Sequence, residues 1–364
     1  MAGKKLRILD VINEQWRYIF KDTRLMLVLF IVPIGYTLMF GYLYSAHKVT
    51  ELRTVVMDQD QSQLSRQVVQ AFDENVAFDV QRYVFSEYEM KEMLARGDAQ
   101  FAIVIPQEFE QKVKRGESAP VLTFVDGSNM IISNAASVYA NQIVTSFSIG
   151  SSAIKLQQQG LRAEEVEDLF GSIPFRFRVL YNPTYNYNEF LTFGLIGVAV
   201  QQVILLGIAL TVTREKEQGT WCRYEEWRTR PLRMAFSLNA IFILLGLFNA
   251  YTTMWVAVKV FNLPFRGSVL PFLTLGLFFM IALIGIGYAA SVFLKNQVGS
   301  TQITMLVAVP SFLLSGFTWP LEAMPPLLRG LGEILPLTYY VHGIRHIFVK
   351  GNGFEVIWYD CLAL

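Results

Sequence analysis

Between Leu25 and Ser45 the chain reads LMLVLFIVPIGYTLMFGYLYS, without one charged residue. Four more runs of this kind follow, Phe190 to Thr213, Met234 to Phe261, Val269 to Leu294 and Thr301 to Trp319, and the only charge in them is Lys259. A soluble core has no use for uncharged stretches of about 20 residues, whereas a helix rising ~1.5 Å per residue needs that length to cross ~30 Å of hydrocarbon. Five spans are therefore expected. Composition agrees: 17% of residues are charged, against about a quarter in soluble domains. Pro33 inside the first run suits a bundle, where neighbouring helices satisfy the freed carbonyl.

The charges gather elsewhere. Residues 46–188 read as one water-exposed α/β domain. Strands are expected at Arg53–Met57, Phe78–Val84, Gln100–Ile105 and Val121–Val125. Helices are expected at Leu64–Phe72, at Glu87–Arg96 closed by Gly97, after Pro106 at a helix N1, and from Asn129 to about Gln159. An extended aromatic lead-in, Phe175 to Tyr187, returns to the membrane. Residues 1–24 read as a basic amphipathic helix on the membrane surface. Its apolar face is Ile8, Ile12, Trp16, Ile19 and Phe20, and its basic face is Lys5, Arg17, Lys21 and Arg24. Residues 320–354, broken by Pro320, Pro325, Pro326 and Pro336, are too polar to span and read as short outer-leaflet helices or a re-entrant segment. Residues 355–364 read as the start of a truncated sixth span. The fold class is an α-helical polytopic membrane protein with an inserted extracytoplasmic α/β domain.

Orientation follows from short-loop charges. Lys4, Lys5, Arg7, Arg17, Lys21 and Arg24 precede the first span, and Arg214, Lys216, Arg223, Arg228, Arg230 and Arg233 follow the second. Both sets belong in the cytoplasm, which puts 46–188 outside. Residues 214–233 become a cytoplasmic segment between spans two and three, within the membrane region 189–319.

Enzyme motifs are missing from the sequence. No GxxxxGK[ST] loop occurs, so ATP hydrolysis by the Walker route is excluded for this chain, and GxSxG, HExxH, CxxC and GxGxxG are absent as well. The two Cys, Cys222 and Cys361, are too far apart in sequence to suggest a framework. His342 and His346 stand at i, i+4 spacing that can bind a metal, but an interfacial polar face is the plainer reading. Asp58 and Asp60 in DQDQS lack the spacing of a calcium loop and read as a solvated turn.

Three features remain as functional candidates. TREKEQGTWCRYEEW leaves the second span with charges of alternating sign and Gly219 as a pivot. Within it Arg214, Glu215, Lys216, Glu217, Gly219 and Thr220 are candidate coupling residues, with both glutamates placed either to meet a partner or to pin the turn. Gln201, Gln202, Asn249 and Thr252, with Thr253, are polar groups within spans, suited to helix packing or to a substrate path. Trp319, Pro320 and Pro325 begin the irregular outer segment, where a gate could sit.

The chain resembles the type-2 ATP-binding-cassette permeases, in the drug and lipid export branch with a large external domain. The resemblance rests on the basic N-terminus, on GDAQFAIVIPQEFEQKVKRGESAPVLTFVDGSN, on YNPTYNYNEF entering the second span and REKEQGT leaving it, and on SGFTWPLEAMPPLLRGLGEILPLTYYVHGIRHI. It implies a bacterial inner-membrane permease with a cytoplasmic N-terminus. Such a permease pairs with a second permease copy and with cytoplasmic ATPase subunits that bind ATP and Mg, no cofactor being held in this chain. A periplasmic adaptor is a further candidate partner, membrane lipid surrounds the spans, and no nucleic acid is involved. It also implies that Arg214 to about Glu226 acts as a coupling helix, that the N-terminal helix touches the ATPase, and that the Pro-rich segment forms the outer gate. Where the family continues its GT motif with Glu and a Leu-rich stretch, this chain has WCRYEEWRTRPLRM, so the ATPase contact is expected to differ in detail. The expected cargo is hydrophobic or amphipathic, a drug-like molecule or a lipid. The rival readings are a membrane-anchored sensor and a lipid-modifying enzyme built on His342, His346 and Glu333.

Overall fold

The computed structural model of the chain describes residues 7–45, 50–115, 117–158, 180–182, 186–227 and 230–364. Lys4, Lys5, His47 and Arg228 lie outside these, as does most of the expected lead-in from Phe175 to Tyr187. The chain divides into two compact units: Met1–His47 with Leu180–Leu364, and Lys48–Val179.

The first unit opens with helix α1, Ile8–Lys21, followed by α2, Thr23–Met26, a π-helical turn Leu27–Ile31, and α3, Val32–Leu43. The π-turn ends just before Pro33, where the missing N–H would otherwise leave a gap in the ladder. One turn on, Thr37 Oγ1 donates to the Pro33 carbonyl at 2.8 Å.

The second unit is an α/β layer structure. Its elements are β1 Leu52–Asp58, α4 Gln63–Asp73, β2 Phe78–Tyr83, α5 Glu87–Arg96, β3 Phe101–Ile105, α6 Phe109–Arg115, β4 Leu122–Val125 and α7 Met130–Gln158. The sheet order is β2-β1-β3-β4, with β1 parallel to both neighbours and β4 antiparallel to β3. β3 is buried at every position, as a strand covered on both faces must be. Phe72, Phe78 and Phe101 fill one face together with Ala136 and Ala140 of α7, and Met90 of α5 packs with Ala102 and Val104 on the other. Ser62 and Ser86 cap α4 and α5 by accepting from Ser65 N and Glu89 N, and Gly97 closes α5 at φ +76°. Pro106 does not open α6. The helix starts at Phe109, after a turn in which Glu108 has φ +59°, and Asp60 Oδ2 accepts from Glu110 N at 3.0 Å in its first turn. Asp58 Oδ1 accepts from the Asp60 and Gln61 amides, both at 3.0 Å. The two aspartates therefore shape a turn and a helix start.

The first unit resumes with α8 Tyr187–Glu217, α9 Pro231–Val260, α10 Val269–Phe293 and α11 Gln297–Leu314. It ends with α12 Pro326–Ile334, α13 Pro336–Arg345, a π-turn His346–Lys350, and α14 Phe354–Ala363. α8 to α11 are each long and apolar enough to cross a membrane, and the first apolar run gives a shorter helix, Leu27–Leu43. The molecule is thus a polytopic helical membrane protein. α8 is its axis, with buried residues along its length from Asn188 to Glu215. Close approach needs small residues at the crossings. A Cβ on Gly207 would stand 2.3 Å from the Phe242 ring, and one on Gly194 would stand 2.2 Å from the Phe317 ring.

The amphipathic face of α1 differs from expectation. Val11, Gln15 and Ile19 are the buried positions, whereas Trp16 and Phe20 are exposed and stack on each other at 4.5 Å. Five residues carry two faces here. The i, i+4 ridge of Val11, Gln15 and Ile19 turns toward α8 and α9, and the aromatic pair turns outward.

Candidate functional site

The candidate coupling residues fall on the last turn of α8 and the bend after it. No single helix runs from Arg214 to Glu226. α8 ends at Glu217, and a 3-10 helix, Trp221–Trp227, follows the bend. The bend is a Schellman closure: Thr220 N donates to Glu215 O at 2.9 Å and Gly219 N to Lys216 O at 3.1 Å, around Gly219 at φ +69°. Nothing lies within 4 Å of a Cβ built on Gly219. Its backbone conformation, and not crowding, is what calls for glycine there.

Each of the four charged residues before the bend holds a different part of the molecule. Arg214, 4% exposed, donates to Gln15 Oε1 of α1 at 2.8 Å and to Glu215 Oε1 at 2.9 Å, and its guanidinium lies 3.5 Å from the Tyr18 ring centroid. Glu215, equally buried, accepts from Thr220 Oγ1 through its other oxygen at 2.5 Å, so it pins the bend from within. Lys216 Nζ reaches the C-terminal carbonyls of α10, Val292 O and Leu294 O at 2.9 Å, where a cation is favoured by the helix dipole. Glu217 accepts from Gln297 N, the first residue of α11, at 2.8 Å and from its side-chain amide. Arg223 extends the tie to α1 with a bidentate pair to Glu14, at 3.0 and 3.2 Å. The hydrogen bonds to Glu14 hold the Arg223 guanidinium above its usual range, helped by the negative charge of that carboxylate and opposed by partial burial. Beneath these polar contacts Val11, Val212, Tyr224, Met234 and Leu238 form a small apolar cluster.

Sequence reasoning missed Gln15, Tyr18, Glu14 and Gln297 as members of this junction. Gln15 on an otherwise buried ridge was the available signal. Gln218, Gly219, Cys222 and Arg223 are left exposed.

The polar residues within the helices do not converge. Gln201 is buried and Gln202, its neighbour, lines a cleft of about 170 Å³ with Val28, Val32, Val203 and Thr304. Asn249 is fully buried. Thr252 turns its hydroxyl back to Phe248 O at 2.9 Å, and Thr253 does the same to Asn249 O at 2.7 Å. Thr211 Oγ1 meets Asn239 Oδ1 at 3.2 Å, and Gly207 meets Phe242. That antiparallel register brings Gln201 and Asn249 to the same depth. Gln201 Nε2 and both side-chain polar atoms of Asn249 have no partner among the described residues.

Of the outer-segment residues, Trp319, Pro320 and Pro325 are exposed. Pro320 and Pro325 sit at the caps of the 3-10 turn Leu321–Ala323 and of α12. The buried anchor is Phe317, which sequence reasoning did not single out. It stacks on Phe190 at 5.9 Å and 14° and fills the space over Gly194. Behind it lies a cavity of about 380 Å³.

The histidines do not form a metal pair. His342 Nδ1 is 3.0 Å from both oxygens of Asp360, and the two nitrogens of His346 face Asn352 Nδ2 at 2.8 Å and Lys350 Nζ at 3.4 Å. Among the described residues there is no group of three or more His, Cys, Asp or Glu suited to a metal ion. Glu333 pairs with Arg329 at 2.8 Å.

Comparison with known proteins adds an independent line. Residues 24–364 match the model of a family described as ABC-2 family transporter protein. The probable multidrug ABC transporter permeases YbhR and YbhS of Escherichia coli K12 are 22% and 23% identical over 355 residues. That alignment covers 97% of this chain and 92% and 90% of theirs. The linearmycin resistance permease protein LnrN of Bacillus subtilis is 21% identical over 361 residues, covering 95% of this chain and 92% of its own. No solved structure matches.

Proposed function

The chain belongs to the ABC-2 family of transporter proteins, and from that premise we propose how its junction works. It is the permease subunit of an ABC exporter, which works with an ATP-binding subunit and assembles as a dimer. In our reading the helical run Thr23–Leu43 is the first span, α8 to α11 are the next four, and α14 begins the sixth. The N-terminus and the bend at Gly219 face the cytoplasm of a bacterial inner membrane, and the α/β unit lies outside. ATP and Mg belong to the partner subunit. The cargo is a hydrophobic or amphipathic molecule, because the cleft beside Gln202 is walled by Val28, Val32 and Val203 with few polar groups. Relatives named for multidrug transport and linearmycin resistance support that class.

The observation that supports the coupling role is the convergence at the bend. A permease moved by a separate ATPase must take up force through a small cytoplasmic patch and pass it to its spans. Arg214 to Glu217 tie α1, α8, α10 and α11 to one point, so a push on the exposed Gln218, Gly219, Cys222 and Arg223 reaches four helices without a flexible loop between. Cys222 is exposed at that point and offers a direct test. In membranes co-expressing the ATP-binding subunit, a short bis-maleimide should link Cys222 to a cysteine of that subunit. Cys361 is replaced by Ser in this experiment, and a Cys222→Ser control should lose the product. If no product forms while the two subunits copurify, the contact lies elsewhere and the coupling assignment fails.

A further inference from the structure

Arg345 stands out for what it lacks. It ends α13, is only partly exposed, and has no carboxylate within ion-pair distance among the described residues. Among the described residues its one hydrogen bond is from Nη2 to the Phe317 carbonyl at 3.3 Å. Its guanidinium lies 4.8 Å from the Phe317 ring centroid and 5.7 Å from that of Phe190. A guanidinium has five N–H donors and cannot shed its charge. Cation–π contact on the faces of two rings gives part of the missing stabilisation. The remaining donors line the cavity of about 380 Å³ behind Phe317.

The rest of that cavity has a definite chemistry. Phe190, Phe317, Leu321 and Val341 give it apolar walls. Two acidic residues also face it, Asp360 and Glu322. Asp360 already accepts from His342 Nδ1, which leaves Nε2 of the neutral His342 ring as an acceptor. Glu322 is exposed at the rim and solvated. The uncommitted charge in the cavity is therefore positive, and it sits next to an apolar surface. Arg matches the planar, bidentate geometry of carboxylate and phosphate oxygens.

We propose that this cavity is a binding site for the anionic head of an amphiphile. Arg345 clamps the phosphate or carboxylate, and the aromatic wall of Phe190 and Phe317 receives the start of the acyl or alkyl chain. The site is at the end of the bundle where α8 begins and α11 ends, opposite the bend at Gly219. Its role in export rests on the permease reading, but the binding does not.

The test uses the full chain in phosphatidylcholine nanodiscs, without any ATPase, so that its outcome is independent of the coupling assignment. Hexyl phosphate, inorganic phosphate and hexyltrimethylammonium are titrated by calorimetry, with empty discs as blank. Hexyl phosphate should bind saturably, inorganic phosphate much more weakly, and the cation not at all. Arg345→Gln should weaken hexyl phosphate binding roughly tenfold or more, the loss of a charge-assisted bond, and Arg345→Lys should restore part of it. Glu322→Gln, on an exposed side chain with little risk to folding, should leave binding unchanged or tighten it. Adding phosphatidylglycerol to the discs should lower the apparent affinity if membrane lipid headgroups fill the same site, and leave it unchanged if free amphiphiles alone do. Equal binding of hexyl phosphate by the parent and Arg345→Gln would overturn the proposal. So would weaker binding by Glu322→Gln, or inorganic phosphate binding as tightly as the hexyl ester.

Discussion

Glu215→Ala probes the bend from its centre. The side chain is 4% exposed and has two partners, Arg214 at 2.9 Å and Thr220 at 2.5 Å. Its removal strands the Arg214 guanidinium, itself 4% exposed, against Gln15 and the Tyr18 ring. Breaking a buried pair by taking one member costs about 3–5 kcal/mol. Gln15 and Tyr18 remain to hold the stranded cation, which places the expected loss near 3 kcal/mol, the lower end of that range. Thr220→Val removes only the hydroxyl donor to a carboxylate and should cost less, about 1.5–3 kcal/mol. The double variant Arg214→Met with Glu215→Ala removes the stranded charge along with its partner. Its cost should fall well short of the sum of the two singles, because replacing a buried pair by apolar groups is often nearly neutral. Apparent thermal stability of the detergent-purified chain, followed by the loss of its monodisperse elution peak, ranks the parent, the single variants Glu215→Ala, Arg214→Met and Thr220→Val, and the double variant. Additive single losses, or a Glu215→Ala variant indistinguishable from the parent, would show that these side chains are not coupled and that the bend is held by its backbone alone.

Two further outcomes are expected. At Gly219 a left-handed conformation with open space around it predicts a graded series: Asn nearly neutral, Ala costing about 1–2 kcal/mol, and Val more. Stimulated ATP hydrolysis with the partner subunit should fall in that order at equal membrane levels, and a flat series would mean that the bend is irrelevant to coupling. In a background with Cys222→Ser and Cys361→Ser, Ser128→Cys should react with an impermeant maleimide in spheroplasts and Gln218→Cys only after lysis. Labelling of Gln218→Cys from outside would reverse the orientation.

Much of the architecture was legible because the bilayer and the sheet impose simple periods. A run such as Val269 to Leu294 has one use, and the strand and helix alternation from Leu52 to Gln158 was recovered to within a few residues. What escaped depended on neighbours. Trp16 and Phe20 belong to an apolar stripe on α1, but which of two stripes is buried depends on where α8 and α9 lie. Gln201 and Gln202 are equivalent in sequence, yet a 100° step turns one into the core and the other into a cleft. Trp319 marks the start of the irregular outer segment in sequence, whereas it is Phe317, two residues earlier, that fits the gap over Gly194. Pro106 has the composition of a helix start, but the chain first has to turn through Glu108 to reach Asp60.

The junction shows why REKE takes the form it does. Successive residues on a helix point about 100° apart, so four in a row sweep the full circumference of α8. A helix enclosed by neighbours can use such a run to address each of them, and the sign of each charge then follows from what that neighbour presents. Lys216 meets the carbonyl end of α10, where a cation is favoured, and Glu217 meets the amide end of α11, where an anion is favoured. Arg214 meets an amide oxygen and an aromatic face on α1, and Glu215 closes onto Arg214 and Thr220. The alternation of sign, which by itself reads as a solvated helix surface, is here a consequence of antiparallel packing: α10 ends and α11 begins at the same level, so a cation and an anion are needed side by side. A force on the bend cannot move α8 alone without breaking these ties, and α1, α10 and α11 must move with it.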